Sequence, residues 1–195
     1  QMMAENLAAR GIKDKNEGLA EPRFRTVADF IFSGSQWKMR ELAFGEQKVV
    51  FKPGDNKENY AVKRMPEIEQ WATDIYNFVA GKYGEENIVA FYVHLDETSP
   101  HIHCVLLPIK DGKFAFKEIF AGANNREYSQ RTSQLHDELA VVNEPWGLVR
   151  GTSQTETRQR HRPTEEYRKH LSEECSSKEE ELDKLNKALS DLRVE

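Results

Sequence analysis

Three histidines and two carboxylates fall within one short string, His94-Leu95-Asp96-Glu97-Thr98-Ser99-Pro100-His101-Ile102-His103. Neutral imidazole nitrogens are good donors to first-row divalent metals. Three on a stiff support would hold a cation and leave coordination positions open, as catalytic metal sites do. Asp96 and Glu97 lie between them, where a carboxylate can orient an imidazole or take a proton. A lone strand-end histidine reads as an ordinary hydrogen-bonding group. The spacing His-x6-His-x-His, with two acids enclosed, favours the metal.

Two extended segments must position these groups. Residues 88–94 and 101–109 are runs of β-branched, aromatic and aliphatic residues around a short polar break, the pattern of two strands and a tight connection. Pro100 removes a backbone donor and holds Ser99 extended, which sets the break just before His101. Alternation puts His101 and His103 on one face, continued by Val105 and Leu107, with Ile102, Cys104 and Leu106 on the other. An antiparallel return brings His94 back to the pair. Tyr92 shares that face, but nothing marks it as activated.

The string HLDETSPHIH followed by an apolar strand resembles the His-rich third motif of the MobV (Mob/Pre) relaxases, mobilisation proteins of small bacterial plasmids and transposons. These belong to the HUH endonuclease group, whose two name-giving histidines would be His101 and His103. The resemblance implies an α+β fold, a central antiparallel sheet with packed helices, plus a C-terminal helix. It implies a metal-dependent DNA relaxase, a site- and strand-specific endonuclease and strand transferase acting at a plasmid or transposon transfer origin. It makes His94, His101 and His103 the ligands of a divalent metal, Mn or Mg, with Glu97 and its neighbour Asp96 as acidic helpers. The implied partner is single-stranded or hairpin DNA of a transfer origin, and the implied location is the bacterial cytoplasm. Relatives draw their nucleophile, a histidine in this branch, from a His-Asn-x-Arg-like motif near the N-terminus. Residues 1–25 do not match it, Glu5-Asn6 followed by Arg10 being the nearest approach, so the expectation is a chain that holds metal and DNA but cleaves poorly by itself. The residues alone leave two other classes open: a three-His metal hydrolase with Glu97 as base, and a non-catalytic DNA-binding or dimerisation module.

A chain of 195 residues allows one sizeable domain and an appendage. The net charge of -5 argues against a wholesale nucleic-acid coat but permits local basic surfaces. No apolar run approaches the length of a membrane span. Cys104 and Cys175 lie too far apart in kind and place to form a disulfide framework, which fits a reducing compartment.

Residues 1–24 read as a polar, loosely packed arm around a helical stretch from Met2 to Ile12. Gln1 is not an initiator Met, so a fragment or processed chain is expected. Residues 25–165 read as the nicking core. Within it we expect a strand at Thr26–Ser33, a helix from Gln36 to Phe44 capped by Ser35, and a short edge strand at Lys48–Phe51. A loop at 52–59 precedes a helix from Pro66 to Tyr83, striped by Ile68, Trp71, Ile75, Phe78 and Val79. After a turn at Asp111-Gly112, a strand is expected at Lys113–Ile119, with Phe114 and Phe116 on one face. A helix from Arg126 to Val142 carries Tyr128, Leu135, Leu139 and Val142, with His136 as a surface or packing histidine.

Candidate DNA contacts are Lys113, Lys117, Arg126, Arg150, Arg158, Arg160, His161 and Arg162, the last four in a basic stretch rich in hydroxyls and amides. Residues 166–195 step by four and three through Leu171, Cys175, Lys178, Leu182, Leu185, Leu189 and Leu192, a coiled-coil-like helix suited to a homodimer or to a longer helical part.

Overall fold

The strand that carries two of the histidines lies at the centre of the sheet. In the computed structural model, which describes residues 2–51, 57–152, 177–178 and 181, β3 (His101–Leu106) pairs antiparallel with β1 (Ala28–Phe32) on one side and β2 (Ile88–His94) on the other. The order is β1-β3-β2. Alternation along β3 decides what each face can do. Ile102, Cys104 and Leu106 are fully buried, while His101, His103 and Val105 are half-buried.

The apolar face is covered by α2 (Gln36–Phe44) and α3 (Pro66–Tyr83), whose Met39, Trp71, Ile75 and Val79 complete the core. The buried Trp71 indole donates to the Asn143 side chain at 2.9 Å, tying α3 to the end of α4 (Asn125–Asn143). α3 opens on Pro66 and closes at Gly84, whose φ of +88° is a conformation that L side chains rarely adopt. α4 is capped by Asn124, which accepts from the Glu127 backbone N–H at 3.0 Å. Asp111 and Gly112 both have positive φ, the signature of a tight turn, and join β4 (Ile109–Lys110) to β5 (Lys113–Phe114) as a small hairpin.

Several expectations differ from what forms. The N-terminal stretch is a docked helix, α1 (Met2–Ala9), with Leu7 buried against Leu107 and Ile109. Asn6 donates to the Glu86 carbonyl at 2.9 Å, and Arg10 reaches the Asn87 side chain at 2.8 Å. Those two side chains therefore anchor the helix on the turn before β2. Leu107, expected to continue the histidine face, lies beyond the end of β3 and is sealed under this helix.

Ser35 sits at the start of α2, but its hydroxyl makes no capping bond; Ser33 and Gln36 instead reach the histidine turn. Lys48–Phe51 is not a strand. The Asn59 side chain takes the place of a strand partner, accepting from Val50 N at 2.9 Å and donating to Val50 O at 2.8 Å. Lys57–Ala61, expected in a loop, forms one turn of 3-10 helix.

The strand expected at Lys113–Ile119 stops at Phe114, and Lys117–Ala121 winds into a π-helical turn. Phe116 packs on Phe120 with ring centroids 5.3 Å apart, a contact between residues four apart that helical winding supplies and an extended strand does not. Phe114 turns instead to the small cluster under α1, so the two phenylalanines do not share a face.

Residues 1–150 form one compact unit and 151–195 a second. In the second, Lys178 donates to Glu181 at 2.8 Å. Arg158, Arg160, His161, Arg162 and the leucines of the heptad lie outside the described residues. No helix among the described residues is long and apolar enough to cross a membrane.

Candidate metal centre

Register builds the site. β2 runs back along β3 so that His94 stands opposite His101, and Tyr92 opposite His103. Residues paired this way share a face. The three imidazole centroids lie 5.0, 4.9 and 4.9 Å apart, and one ligand nitrogen from each lies within 4.8 Å of the others.

The ring orientations follow from their outer partners. His101 Nδ1 lies 2.9 Å from the Ser99 carbonyl, which only accepts, so that nitrogen carries the proton. His103 Nδ1 faces Asp29 Oδ1 at 3.7 Å, and His94 Nδ1 faces Glu97 Oε1 at 3.8 Å. Each ring thus turns Nδ1 outward to an oxygen. His101 Nε2 and His103 Nε2 meet at 3.1 Å. With His101 Nε2 left as an acceptor, this contact is a hydrogen bond when His103 carries its proton on Nε2, and a pair of lone pairs open to a shared cation when it does not. The donor set fits a divalent cation bound through imidazole, with the Ser99 carbonyl fixing the His101 tautomer and a carboxylate near each of the other two rings.

The turn that carries the acids is held from below. Arg40 and Gln36 of α2 donate to the Thr98 carbonyl at 2.7 and 3.3 Å, and Ser33 donates to the Pro100 carbonyl at 3.1 Å. Pro100 itself is buried. These bonds set where His101 begins, and with it the register of the pair. Glu97 reaches an imidazole; Asp96 is exposed in the turn. Tyr92, opposite His103, is half-exposed, and its hydroxyl lies 3.7 Å from Met2 Sδ, on α1. Cys104 points into the core directly behind the histidines. Burial, and secondarily the Asp29 charge, push its thiol up to about 11, so it stays a neutral packing group and not a ligand.

Sequence reading passed over Asp29, Arg40 and the Ser99 carbonyl. For Asp29 a signal exists: it is an acid inside the apolar strand Ala28-Asp29-Phe30-Ile31-Phe32. The carbonyl has none, because its role arises from the turn's shape.

The basic candidates are scattered. Lys113 and Lys117 line a cleft of about 560 Å³ with Lys15, Arg25 and Lys110, floored by Phe24, Phe114 and Phe116. Lys110 there is ion-paired with Glu118. Arg126 stands exposed in the first turn of α4. Arg150 is folded back onto α4, ion-paired with Asp137 and donating to Ser133 at 3.2 Å.

Known proteins resemble this chain over much of its length. A family model described as plasmid recombination enzyme (Mob_Pre) matches residues 34–169, well over half of the chain. A plasmid recombination enzyme type 1 from Staphylococcus aureus is 34% identical over 128 residues, which cover 63% of this chain and 30% of that protein. A plasmid recombination enzyme from Streptococcus agalactiae is 29% identical over 110 residues, 56% of this chain and 21% of that one. The chain thus spans less than a third of these relatives. Among solved structures, the MobM relaxase domain (MOBV; Mob_Pre) bound to 26-nucleotide pMV158 oriT DNA superposes with a TM-score of 0.52 at 18% identity. That match covers 84% of this chain and 78% of the other, and establishes the shared α+β fold.

Proposed function

The chain belongs to the Mob_Pre family of plasmid recombination enzymes, and from that premise we propose that it is the metal- and DNA-holding core of a relaxase. Such an enzyme cuts one DNA strand at a transfer origin and stays joined to it. The observation that carries this is the meeting of three imidazoles with their inner nitrogens together and an oxygen behind each.

His94, His101 and His103 would hold the cation. Three nitrogen donors suit Mn or another first-row ion better than Mg, which prefers oxygen and water. A divalent ion bound there withdraws charge from the non-bridging oxygens of a phosphodiester as it is attacked. The protein's own residues do the rest. Ser99 keeps His101 in the tautomer that ligates, and Asp29 and Glu97 set a negative charge beside His103 and His94. Glu97, largely exposed, is also placed to take a proton near the centre. The cleft holding Lys113 and Lys117 tracks phosphates, and its phenylalanines offer faces to unpaired bases. Arg126, exposed and without an ion pair among the described residues, suits the same role better than Arg150, whose guanidinium is already occupied by Asp137. The partner is single-stranded or hairpin origin DNA, and a homodimer through residues 166–195 is part of the same proposal.

Among the described residues no hydroxyl or imidazole beside the triad stands as an activated nucleophile. Tyr92, the nearest in register, is turned to Met2. We therefore expect tight Mn-dependent retention of a single-stranded origin oligonucleotide with slow nicking by this chain alone. The test is a binding and cleavage assay on end-labelled origin and scrambled oligonucleotides, with and without Mn, for the wild type and His101→Ala. Loss of metal and of Mn-dependent DNA retention in the variant is expected. A protein that carries no metal, or that hydrolyses simple phosphoesters with no preference for DNA, overturns the reading.

A further inference from the structure

A second cleft, of about 610 Å³, lies along the outer edge of β1, between that strand, the end of α3, the π-helical turn and α4. It is floored by rings. Phe30 stands 6.0 Å from Tyr83 and 5.7 Å from Phe120, and Tyr83 lies 5.4 Å from Phe120, centroid to centroid. Phe116 extends the row beside Phe120. All four rings are half-buried rather than sealed, and Tyr128, at 51% exposed, stands at the mouth. Protein interiors are close-packed, so an aromatic-lined space of this size on a small domain is a place for something else.

The rim is cationic. Lys82 and Arg131 line it, Lys82 paired with Glu138, and Arg131 paired with Glu127 at 3.9 Å while donating to the Ile119 carbonyl at 3.2 Å. Arg25 stacks over Phe116 at 5.2 Å and has no carboxylate partner among the described residues. Arg25 and Phe116 also line the lysine-rich cleft, so the two clefts adjoin. Asp29 also lines this cleft, and its carboxylate faces His103. Phe30 pairs with Cys104, so the aromatic floor lies on the sheet face opposite the histidines, and β1 is the edge strand at which the two faces meet.

We propose that this cleft receives an unpaired nucleobase of a bound single strand, stacked on the Phe30–Tyr83–Phe120 floor with Arg25 on its phosphate. The inference rests on the DNA-binding reading above and adds a site to it. Flat π faces fit an aromatic floor whatever the base, and a cationic rim suits the attached phosphate. Thr132, Gln134 and His136 of α4 line the same wall and offer polar atoms to a base edge. A base within a duplex is stacked on its neighbours and cannot enter, so the site selects single strands.

The test uses the full chain and three probes of equal length: oligothymidylate, an abasic phosphodiester oligomer and a duplex. The variants are Tyr128→Ala, an exposed position that does not threaten the fold, and Thr132→Trp, which fills the cleft. Wild type should bind oligothymidylate about tenfold more tightly than the abasic oligomer, within the range measured for single base–aromatic stacks. Thr132→Trp should bring that ratio close to one and Tyr128→Ala, which removes the ring at the mouth and leaves the floor, should lower it, both leaving abasic-oligomer affinity and Mn affinity unchanged. If Thr132→Trp melts early, Tyr128→Ala and Arg25→Ala carry the test, the latter weakening both single-stranded probes alike. A thymidylate preference that survives undiminished in the variants, or a duplex bound as tightly as the single strand, overturns the base site and leaves the metal centre standing. Failure to bind any of the three probes overturns this inference, while the origin-oligonucleotide assay above decides the DNA reading separately.

Discussion

Replacing Asp29 tests whether the outer oxygens of the centre govern its affinity for metal. The carboxylate lies 3.7 Å from His103 Nδ1, with 56% of its side chain and 30% of the imidazole exposed. When His103 ligates a cation through Nε2, its ring gains positive character and its Nδ1–H becomes a stronger donor. At this distance a full charge pair is worth about 1 kcal/mol in bulk water and about 4 kcal/mol at the screening typical of a protein surface. The ring carries only part of a charge, and Asp29 is more exposed than not, so the lower figure applies. A loss of about 1 kcal/mol corresponds to about a fivefold weaker Kd.

Asp29→Ala should therefore bind Mn about five- to tenfold more weakly than wild type, at the low end of what removing such outer partners costs. Asp29→Asn keeps the shape but not the charge and should lose about as much, since at 3.7 Å the contact acts through charge and not through a hydrogen bond. The assay is Mn titration by electron paramagnetic resonance, with thermal melting as the control for folding. The added salt should shrink the Asp29→Ala effect, since an exposed charge is screened. If Asp29→Ala binds Mn as wild type does, the carboxylate is a bystander. If the loss equals that of His103→Ala, Asp29 is itself a ligand and the orienting role is wrong.

Two further outcomes are expected. Leu7→Ala, at a position 3% exposed under α1, should cost about 2 kcal/mol, the low end for a buried leucine because the helix is peripheral; hydrogen exchange across Met2–Ala9 should accelerate while Mn affinity holds, and an unchanged melt would mean that α1 is not docked. The Cys104 thiol, raised from its ordinary value near 9 to about 11 by burial, is protonated in the folded chain at pH 8. Its raised value contributes stability that is present below about pH 9 and lost as pH climbs towards 11. Peptide mapping after thiol labelling should find Cys104 modified only under unfolding conditions, and rapid labelling at pH 8 would contradict the burial argument.

The histidine centre was legible because it is local. Alternation along one strand, a proline that sets where that strand begins, and a short return are enough to bring His94, His101 and His103 together. Each step is a rule about neighbours in the chain. α3 was equally plain, since its apolar stripe repeats at helical spacing between a starting proline and a closing glycine.

What was not legible depends on partners distant in sequence. Asp29 matters because β1 pairs with β3 in a register that no local pattern dictates. Arg40 reaches the turn because α2 packs beneath it. Val50 is satisfied by the side chain of Asn59, so a stretch with strand propensity never becomes a strand. Lys113–Ile119 alternates like a strand, yet winds at Lys117 where Phe116 and Phe120 pack together above the end of α3. Propensity and period act over a few residues; which of two compatible shapes wins is settled by the surface the chain comes to rest against, and that surface exists only once the fold has formed.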